Sequence, residues 1–107
     1  MAENSKPEVG SITWFDLTVP NAESVRDFYT SVVGWKSDNV SMGDYNDFTM
    51  ITPETGNPIA GVCHARGGNT KLPPQWMMYI TVENVESSSE MVTKLGGKIL
   101  DGPKIME

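Results

Sequence analysis

The sequence predicts an α+β fold that is built from two related units, each beginning with a strand and a helix. Residues 14–35 align with residues 77–98 at an offset of 63, with seven identities in 22 positions, where chance gives roughly one or two. Both segments open with alternating side chains, which is typical of strands. Both then change to helical spacing and end in glycine. These three observations indicate an internal repeat of one strand-helix unit.

The first element of each unit is a strand that has two different faces. Phe15, Leu17 and Val19 form an apolar face, which alternates with a mixed face that includes Trp14 and Asp16. In the second unit the face equivalent to that of Asp16 consists of Met77, Tyr79, Thr81 and Glu83.

The second element of each unit is a helix with recognisable ends. Asn21 and Asn84 stand where a helix N-cap belongs, because an asparagine side chain can accept from the first free amides. Gly34 and Gly96–Gly97 stand where a left-handed residue ends a helix. The first helix carries one apolar stripe, made of Val25, Phe28, Tyr29, Val32 and Val33.

Three further strands are expected between the two repeats, at residues 36–42, 45–52 and 59–66. Residues 11–66 therefore form a strand-helix-strand-strand-strand module. Residues 75–107 form the start of a second module, and we expect residues 1–107 to make one domain, because the chain is short enough for both halves to share a core.

The second module is shorter than the first. Glu107 corresponds to Asp44 at the offset of 63, so counterparts of residues 45–66 are absent. Either the sequence is truncated, or another chain supplies two strands. Because an unpaired sheet edge favours association, we expect a homodimer or a domain-swapped oligomer.

The overall composition excludes several classes of protein. A formal net charge of −6 without any basic cluster argues against nucleic-acid binding. No apolar run approaches the roughly 20 residues of a membrane span, and the first residues do not form a signal peptide. The single cysteine, Cys63, fits a reducing compartment. We therefore expect a cytoplasmic protein without nucleic-acid or membrane partners.

The repeat and three short motifs resemble the vicinal oxygen chelate superfamily, which contains glyoxalase I, bleomycin-resistance proteins and extradiol dioxygenases. The motifs are Ile12–Val19 leading to Asn21, Ser24 to Tyr29, and Val33-Gly34-Trp35. The resemblance implies paired βαβββ modules that form a half-open curved sheet around a cavity, often in a homodimer. In this chain the second module is incomplete.

The same resemblance places the superfamily's metal ligands at Trp14, at Met77 and near Ala60-Gly61-Val62. An indole N–H has no available lone pair, and a thioether is a soft ligand that does not suit Zn²⁺, Ni²⁺ or Mn²⁺. No carboxylate stands at the fourth-strand position. We therefore expect no cofactor and no metal at these positions, although a divalent metal at a relocated site remains an alternative.

Three side chains are candidates for acid–base chemistry: Asp16, Glu83 and His64. Asp16 lies on the same strand face as Trp14, and Glu83 lies on the same strand face as Met77. A carboxylate at such a position is either a proton-transfer group or an anchor for a cationic ligand. His64 is the only histidine, and it is either a base or an ordinary strand residue. Six side chains are candidates to contact a ligand, as aromatic, thioether or anchoring groups: Trp14, Asp16, Met77, Tyr79, Phe48 and Met50.

These residues predict a glyoxalase-like or bleomycin-resistance-like protein that binds a small organic molecule in a sheet-lined cavity without the superfamily's metal. The alternative is a glyoxalase-type lyase or isomerase that uses Asp16, His64 or Glu83 as a base. A third possibility is a scaffold whose side chains fill the cavity and whose association with itself is the function.

Overall fold

The computed structural model describes residues 7–103, and these residues form an α+β fold, as predicted. The elements in chain order are β1 (Ile12–Val19), α1 (Ala22–Val33), β2 (Lys36–Ser41), β3 (Asn46–Ile51), β4 (Pro58–His64), a 3-10 helix (Gly67–Asn69), β5 (Trp76–Ile80) and α2 (Val85–Lys94). The three strands expected after the first helix begin and end within two residues of their predicted limits.

The five strands among the described residues form one curved, unclosed sheet in the order β2-β3-β4-β1-β5. β1 runs parallel to β4, and β3 runs antiparallel to both β2 and β4. β1, α1 and β2–β4 thus give the predicted strand-helix-strand-strand-strand order. Leu17 and Phe48 both pair with Val62, so their side chains lie on the same face of the sheet.

That face carries the hydrophobic core and is covered by α1. The buried apolar side chains of this core are Leu17, Val19, Ala22, Phe48, Met50, Ala60 and Val62. Val25 and Tyr29 of α1 pack against them. Leu17 and Val19 of the apolar face predicted for the first strand therefore lie in the core, whereas Phe15 is 42% exposed. Asp16 projects from the opposite side.

An aromatic cluster connects α1 with β5. The Tyr29 ring stacks on Trp35 at a centroid distance of 5.6 Å and meets Trp76 edge-on, also at 5.6 Å. The Trp76 Nε1–H donates to Tyr29 Oη over 3.1 Å. Because Trp76 lies on the core side of β5, the alternation of the strand places Met77 and Tyr79 on the side of Asp16.

The chain divides into two compact units. The larger unit spans residues 12–79, and the described part of the smaller unit comprises residues 7–11 and 80–103. Within the smaller unit the Gly10 N–H donates to Thr81 O over 2.8 Å, and the Thr81 N–H donates to Ser11 O over 2.9 Å. No residue of α2 is buried, and a cleft of about 520 Å³ along this helix is lined by Ser87, Ser88, Met91, Val92, Leu95 and Gly97.

The two helices begin differently. Asn84 Oδ1 accepts from the Ser87 N–H over 2.9 Å, as expected for an N-cap. Asn21 precedes α1 but makes no side-chain capping bond, so that part of the prediction is wrong. The backbone explains the difference: Asn84 is extended, with ψ 112°, whereas Asn21 has ψ 54°, away from the extended conformation typical of an N-cap.

Both helices end near glycine, as predicted. Gly34 has φ 88°, in the left-handed region, and its N–H donates to Thr30 O over 3.1 Å. Among residues 7–103, neither α-helix has the length and apolar character required to cross a bilayer.

Candidate ligand-binding site

The Asp16 carboxylate is the centre of a hydrogen-bonded group on the face opposite the core. Its Oδ1 accepts from the Trp14 Nε1–H over 2.7 Å, and its Oδ2 accepts from the Tyr79 O–H over 2.7 Å. Trp14 lies two residues before Asp16 on β1, and Tyr79 lies on the neighbouring strand β5. One carboxylate therefore joins the opening strands of both repeats.

The two repeats contribute equivalent positions to this group. Asp16 corresponds to Tyr79 at the offset of 63, and Trp14 corresponds to Met77. Met77 is half-buried and lies on the same side of β5 as Tyr79. The structure thus brings Trp14, Asp16, Met77 and Tyr79 to one face, where the sequence placed them.

Gly61 on β4 makes room for the carboxylate. It pairs directly with Asp16 across the parallel β1–β4 ladder, and a methyl group built on Gly61 would overlap Asp16 Oδ1. The φ of Gly61 lies outside the left-handed region, so close approach, and not backbone conformation, accounts for glycine here. Sequence reasoning missed this role because it depends on which residue of β4 pairs with Asp16.

No cation of the described residues forms an ion pair with Asp16. The ion pairs of residues 7–103 join Arg26 to Asp27, His64 to Asp47 and Arg66 to Asp44. Among residues 7–103, Asp16 therefore contacts two neutral donors and no cation.

The surroundings of Asp16 keep two neighbouring acids neutral. Burial, followed by the hydrogen bond to Asp16 and its negative charge, raises the pKa of Tyr79 to about 12. Burial, followed by the charges of Asp16 and Asp47, raises the pKa of Cys63 to about 12. At neutral pH the Tyr79 phenol is thus a hydrogen-bond donor, and the Cys63 thiol is not a nucleophile.

Phe48 and Met50 lie away from this group. Both are buried in the core, with 3% and 0% of their surface exposed, and they pair with Val62 and Ala60 on the side that α1 covers. The structure therefore separates these two predicted contact residues from Trp14, Asp16, Met77 and Tyr79.

His64 also faces the core side of the sheet. It pairs with Val19 at the end of β4, and its ring lies 6.0 Å from the Phe48 ring. Asp47 Oδ1 accepts from the His64 backbone N–H over 2.8 Å and lies 3.3 Å from its Nδ1. Because a carboxylate only accepts, Nδ1 is the protonated ring nitrogen in this contact.

A cleft of about 350 Å³ opens beside His64 at the start of α1 and is lined by Pro20, Asn21, Ala22, Glu23, Ser24, Asp27 and His64. His64 Nε2 makes no hydrogen bond to residues 7–103, and no buried side-chain nitrogen or oxygen there lacks a partner. Nε2 is therefore open to solvent.

Asp47 was not a sequence candidate, since its partner lies 17 residues away on another strand.

Glu83 lies in the other compact unit, not in the unit that contains Asp16. It is exposed, and it lies in the smaller unit, between β5 and α2.

The residues at the positions that the resemblance assigns to the superfamily's metal ligands do not suit Zn²⁺, Ni²⁺ or Mn²⁺. The Trp14 Nε1–H is used as a donor to Asp16, Met77 offers only a soft thioether, and Gly61 has no side chain. Among the described residues, no group of three or more histidine, cysteine, aspartate or glutamate side chains is arranged to hold a metal ion.

Comparison with known proteins identifies the superfamily of this chain. The family model described as Glyoxalase/Bleomycin resistance protein/Dioxygenase superfamily matches residues 11–106. The chain therefore belongs to this superfamily.

Individual relatives are more distant and much longer. The chain is 29% identical over 102 residues to "Putative glyoxylase CFP32" of Mycobacterium tuberculosis, an alignment that covers 94% of this chain and 39% of the relative. It is 26% identical over 106 residues to "Anthracycline biosynthesis protein DnrV" of Streptomyces peucetius, covering 88% and 38% respectively. The chain thus spans less than half the length of these curated relatives.

Proposed function

We propose that this chain binds a small organic molecule against the sheet face that carries Trp14, Asp16, Met77 and Tyr79, and that it does so without the superfamily's metal. The observation that carries the proposal is the Asp16 carboxylate, which two donors from two strands hold in one orientation. A polar group that is already oriented loses little freedom when a ligand binds, and this favours affinity.

The neighbours of Asp16 suit an organic ligand. The Trp14 and Tyr79 rings offer flat apolar surface, and the Met77 thioether adapts its shape to a ligand. Tyr79 is 48% exposed, so a bound molecule has apolar surface to cover. A few polar groups within an apolar surface are typical of small-molecule sites.

The test is a fragment screen that reads the three indole N–H signals by NMR, with the Trp14 signal assigned from a Trp14→Phe variant. We expect ligands to shift the Trp14 signal and to leave Trp35 and Trp76, which pack around Tyr29, almost unchanged. A His64→Gln variant is the control, because His64 faces the core side, and it should bind the same ligands. Ligands that shift the Trp35 or Trp76 signal and leave the Trp14 signal unchanged would contradict the proposal.

The enzymatic alternative has one observation in its favour, the pair formed by His64 and Asp47. Asp47 contacts Nδ1, Nε2 makes no hydrogen bond within residues 7–103, and His64 lines a cleft, which is the arrangement of a general base. If the chain is a glyoxalase-type lyase or isomerase, His64→Gln and Asp47→Asn should each lower its turnover by about 100-fold or more. Unchanged turnover in His64→Gln would remove this candidate.

A further inference from the structure

We propose that the ligand of the Asp16 face is an organic cation: a protonated amine attached to a flat apolar ring. This inference rests on the proposed binding function and adds the chemical class of the ligand. It depends on three features of the site. These are the charge of Asp16, which has no cationic partner among residues 7–103, the neutrality of its neighbours, and the close approach of Asp16 to Gly61.

The charge of Asp16 is the first feature. A carboxylate has about four lone-pair positions, and the described residues fill one on each oxygen, with the Trp14 N–H and the Tyr79 O–H. Each of these donors is neutral, and every ion pair within residues 7–103 involves a different acid. An ammonium group would supply both the missing positive charge and further hydrogen-bond donors.

The neutral neighbours are the second feature. The phenol of Tyr79 and the thiol of Cys63 both keep their protons at physiological pH, so the nearby negative charges belong to carboxylates alone. Asp47 also acts on Cys63 and adds to the negative potential at this face. An anionic ligand would be repelled, whereas a cation would be attracted.

The aromatic rings suit the apolar part of the same ligand. Trp14 and Tyr79 each donate one hydrogen bond to the Asp16 carboxylate, so the ring of a ligand whose cation pairs with Asp16 lies beside aromatic side chains. The apolar part of the ligand can cover Met77 and the exposed part of Tyr79.

Gly61 is the third feature, and we assign it as a positioning residue. A methyl group at this position would displace Asp16 Oδ1 from the Trp14 N–H. Since Gly61 has no left-handed backbone conformation, Gly61→Ala moves the carboxylate without removing it. This variant therefore separates the orientation of Asp16 from its charge.

The experiment compares three probes with the same ring and different charges: 2-naphthylmethylammonium, 2-naphthylmethanol and 2-naphthoate. Each is titrated into the 107-residue chain and followed by the Trp14 indole signal. We expect the ammonium probe to bind at least about tenfold more tightly than the alcohol, which corresponds to roughly 1.4 kcal/mol, and the carboxylate probe to bind most weakly.

Two variants and one control complete the test. Asp16→Asn should abolish the difference between ammonium and alcohol, and Gly61→Ala should reduce it while the charge remains. Asp44→Asn removes an exposed carboxylate that pairs with Arg66, and it should leave the difference unchanged. If Asp16→Asn fails to fold, the effect of Gly61→Ala on the difference between ammonium and alcohol tests the inference by itself.

The outcomes separate this inference from the proposed function. If the alcohol or the carboxylate binds as tightly as the ammonium and still shifts Trp14, the cation inference is wrong and the binding function stands. An ammonium preference that survives in both Asp16→Asn and Gly61→Ala would also overturn it. If none of the three probes shifts Trp14 at millimolar concentration, the inference and the proposed binding face both fail.

Discussion

The two helices of the internal repeat have similar sequence signals but very different surroundings. Ala22 of α1 is fully buried, whereas Val85 at the equivalent position of α2 is 55% exposed. Tyr29 packs against the core, while its counterpart Val92 borders an open cleft. The better capped of the two helices is thus the one with no buried residue.

The strands that follow each helix explain this difference. After α1 the chain adds β2, β3 and β4, and the inward side chains of β3 and β4 complete the surface on which α1 lies. The described residues after α2 contain no strand. Capping and apolar spacing define where a helix begins and ends, but packing against a complementary surface supplies most of its stability.

The largest expected effect comes from comparing two methionines. Met50 is fully buried, whereas Met91 on α2 is 47% exposed. Met50→Ala should lower the free energy of unfolding by about 2–5 kcal/mol, because it leaves a cavity. Met91→Ala should change it by about 0.5 kcal/mol or less. Urea unfolding measures both variants, and equal losses would show that Met91 on α2 is packed as firmly as Met50 on β3.

Alkaline pH should weaken the larger unit, which contains Tyr79 and Cys63. Both acids have a folded-state pKa of about 12, above the ordinary values of 10.0 and 9.0. The two protonated groups contribute fully to the free energy of unfolding when the pH is below these ordinary pKa values. This contribution is lost as the pH rises toward 12. We expect a loss on the order of 1–2 kcal/mol, after allowance for partial exposure.

Urea unfolding over a series of alkaline pH values measures this loss. Cys63→Ala and Tyr79→Phe should each make the pH dependence less steep. The folded thiol should also be alkylated far more slowly at pH 8 than the thiol of the urea-unfolded chain. Equal alkylation rates would contradict the raised pKa of Cys63.

A smaller effect distinguishes the two asparagines that precede the helices. Asn84→Ala should destabilise α2 by about 1 kcal/mol, because its side chain caps the Ser87 amide. Asn21→Ala should cost less, since Asn21 makes no such bond. Hydrogen exchange of the first amides of each helix measures both changes. A larger loss in Asn21→Ala would mean that α1 is capped in solution.

The smallest expected effect is the response to metals. Calorimetric titration of chelator-treated protein with Zn²⁺, Ni²⁺ and Mn²⁺ should show no binding tighter than about 1 mM, or roughly −4 kcal/mol. Neither Trp14→His nor Met77→His alone should change this result. Each variant supplies one ligand, while Gly61 and the unchanged residue of the Trp14 and Met77 pair still cannot bind these ions. Micromolar binding by either single variant would show that the ligand positions were assigned to the wrong residues.

Sequence reasoning located most of the candidate site but not its connections. Trp14, Asp16, Met77 and Tyr79 were predicted to share a face because strand alternation is a local property. The roles of Gly61 and Asp47 were missed, because they depend on which residues pair across β1–β4 and β3–β4. Phe48 and Met50 were grouped with the ligand contacts because alternation shows only that these two residues share a face of β3. Which face of the sheet that is depends on the pairing of β3 with β4.

The sequence by itself determined the repeat, the order of the strands and helices, the glycine ends of the helices and the superfamily. These features depend on spacings of a few residues or on direct similarity, so they can be read along the chain. The tertiary structure alone decided that α1 packs against the core, that His64 and Asp16 face opposite sides, and that Asp16 bonds to Tyr79, which lies 63 residues away. Such contacts follow from strand register and from packing between distant segments, and these are properties of the folded chain as a whole.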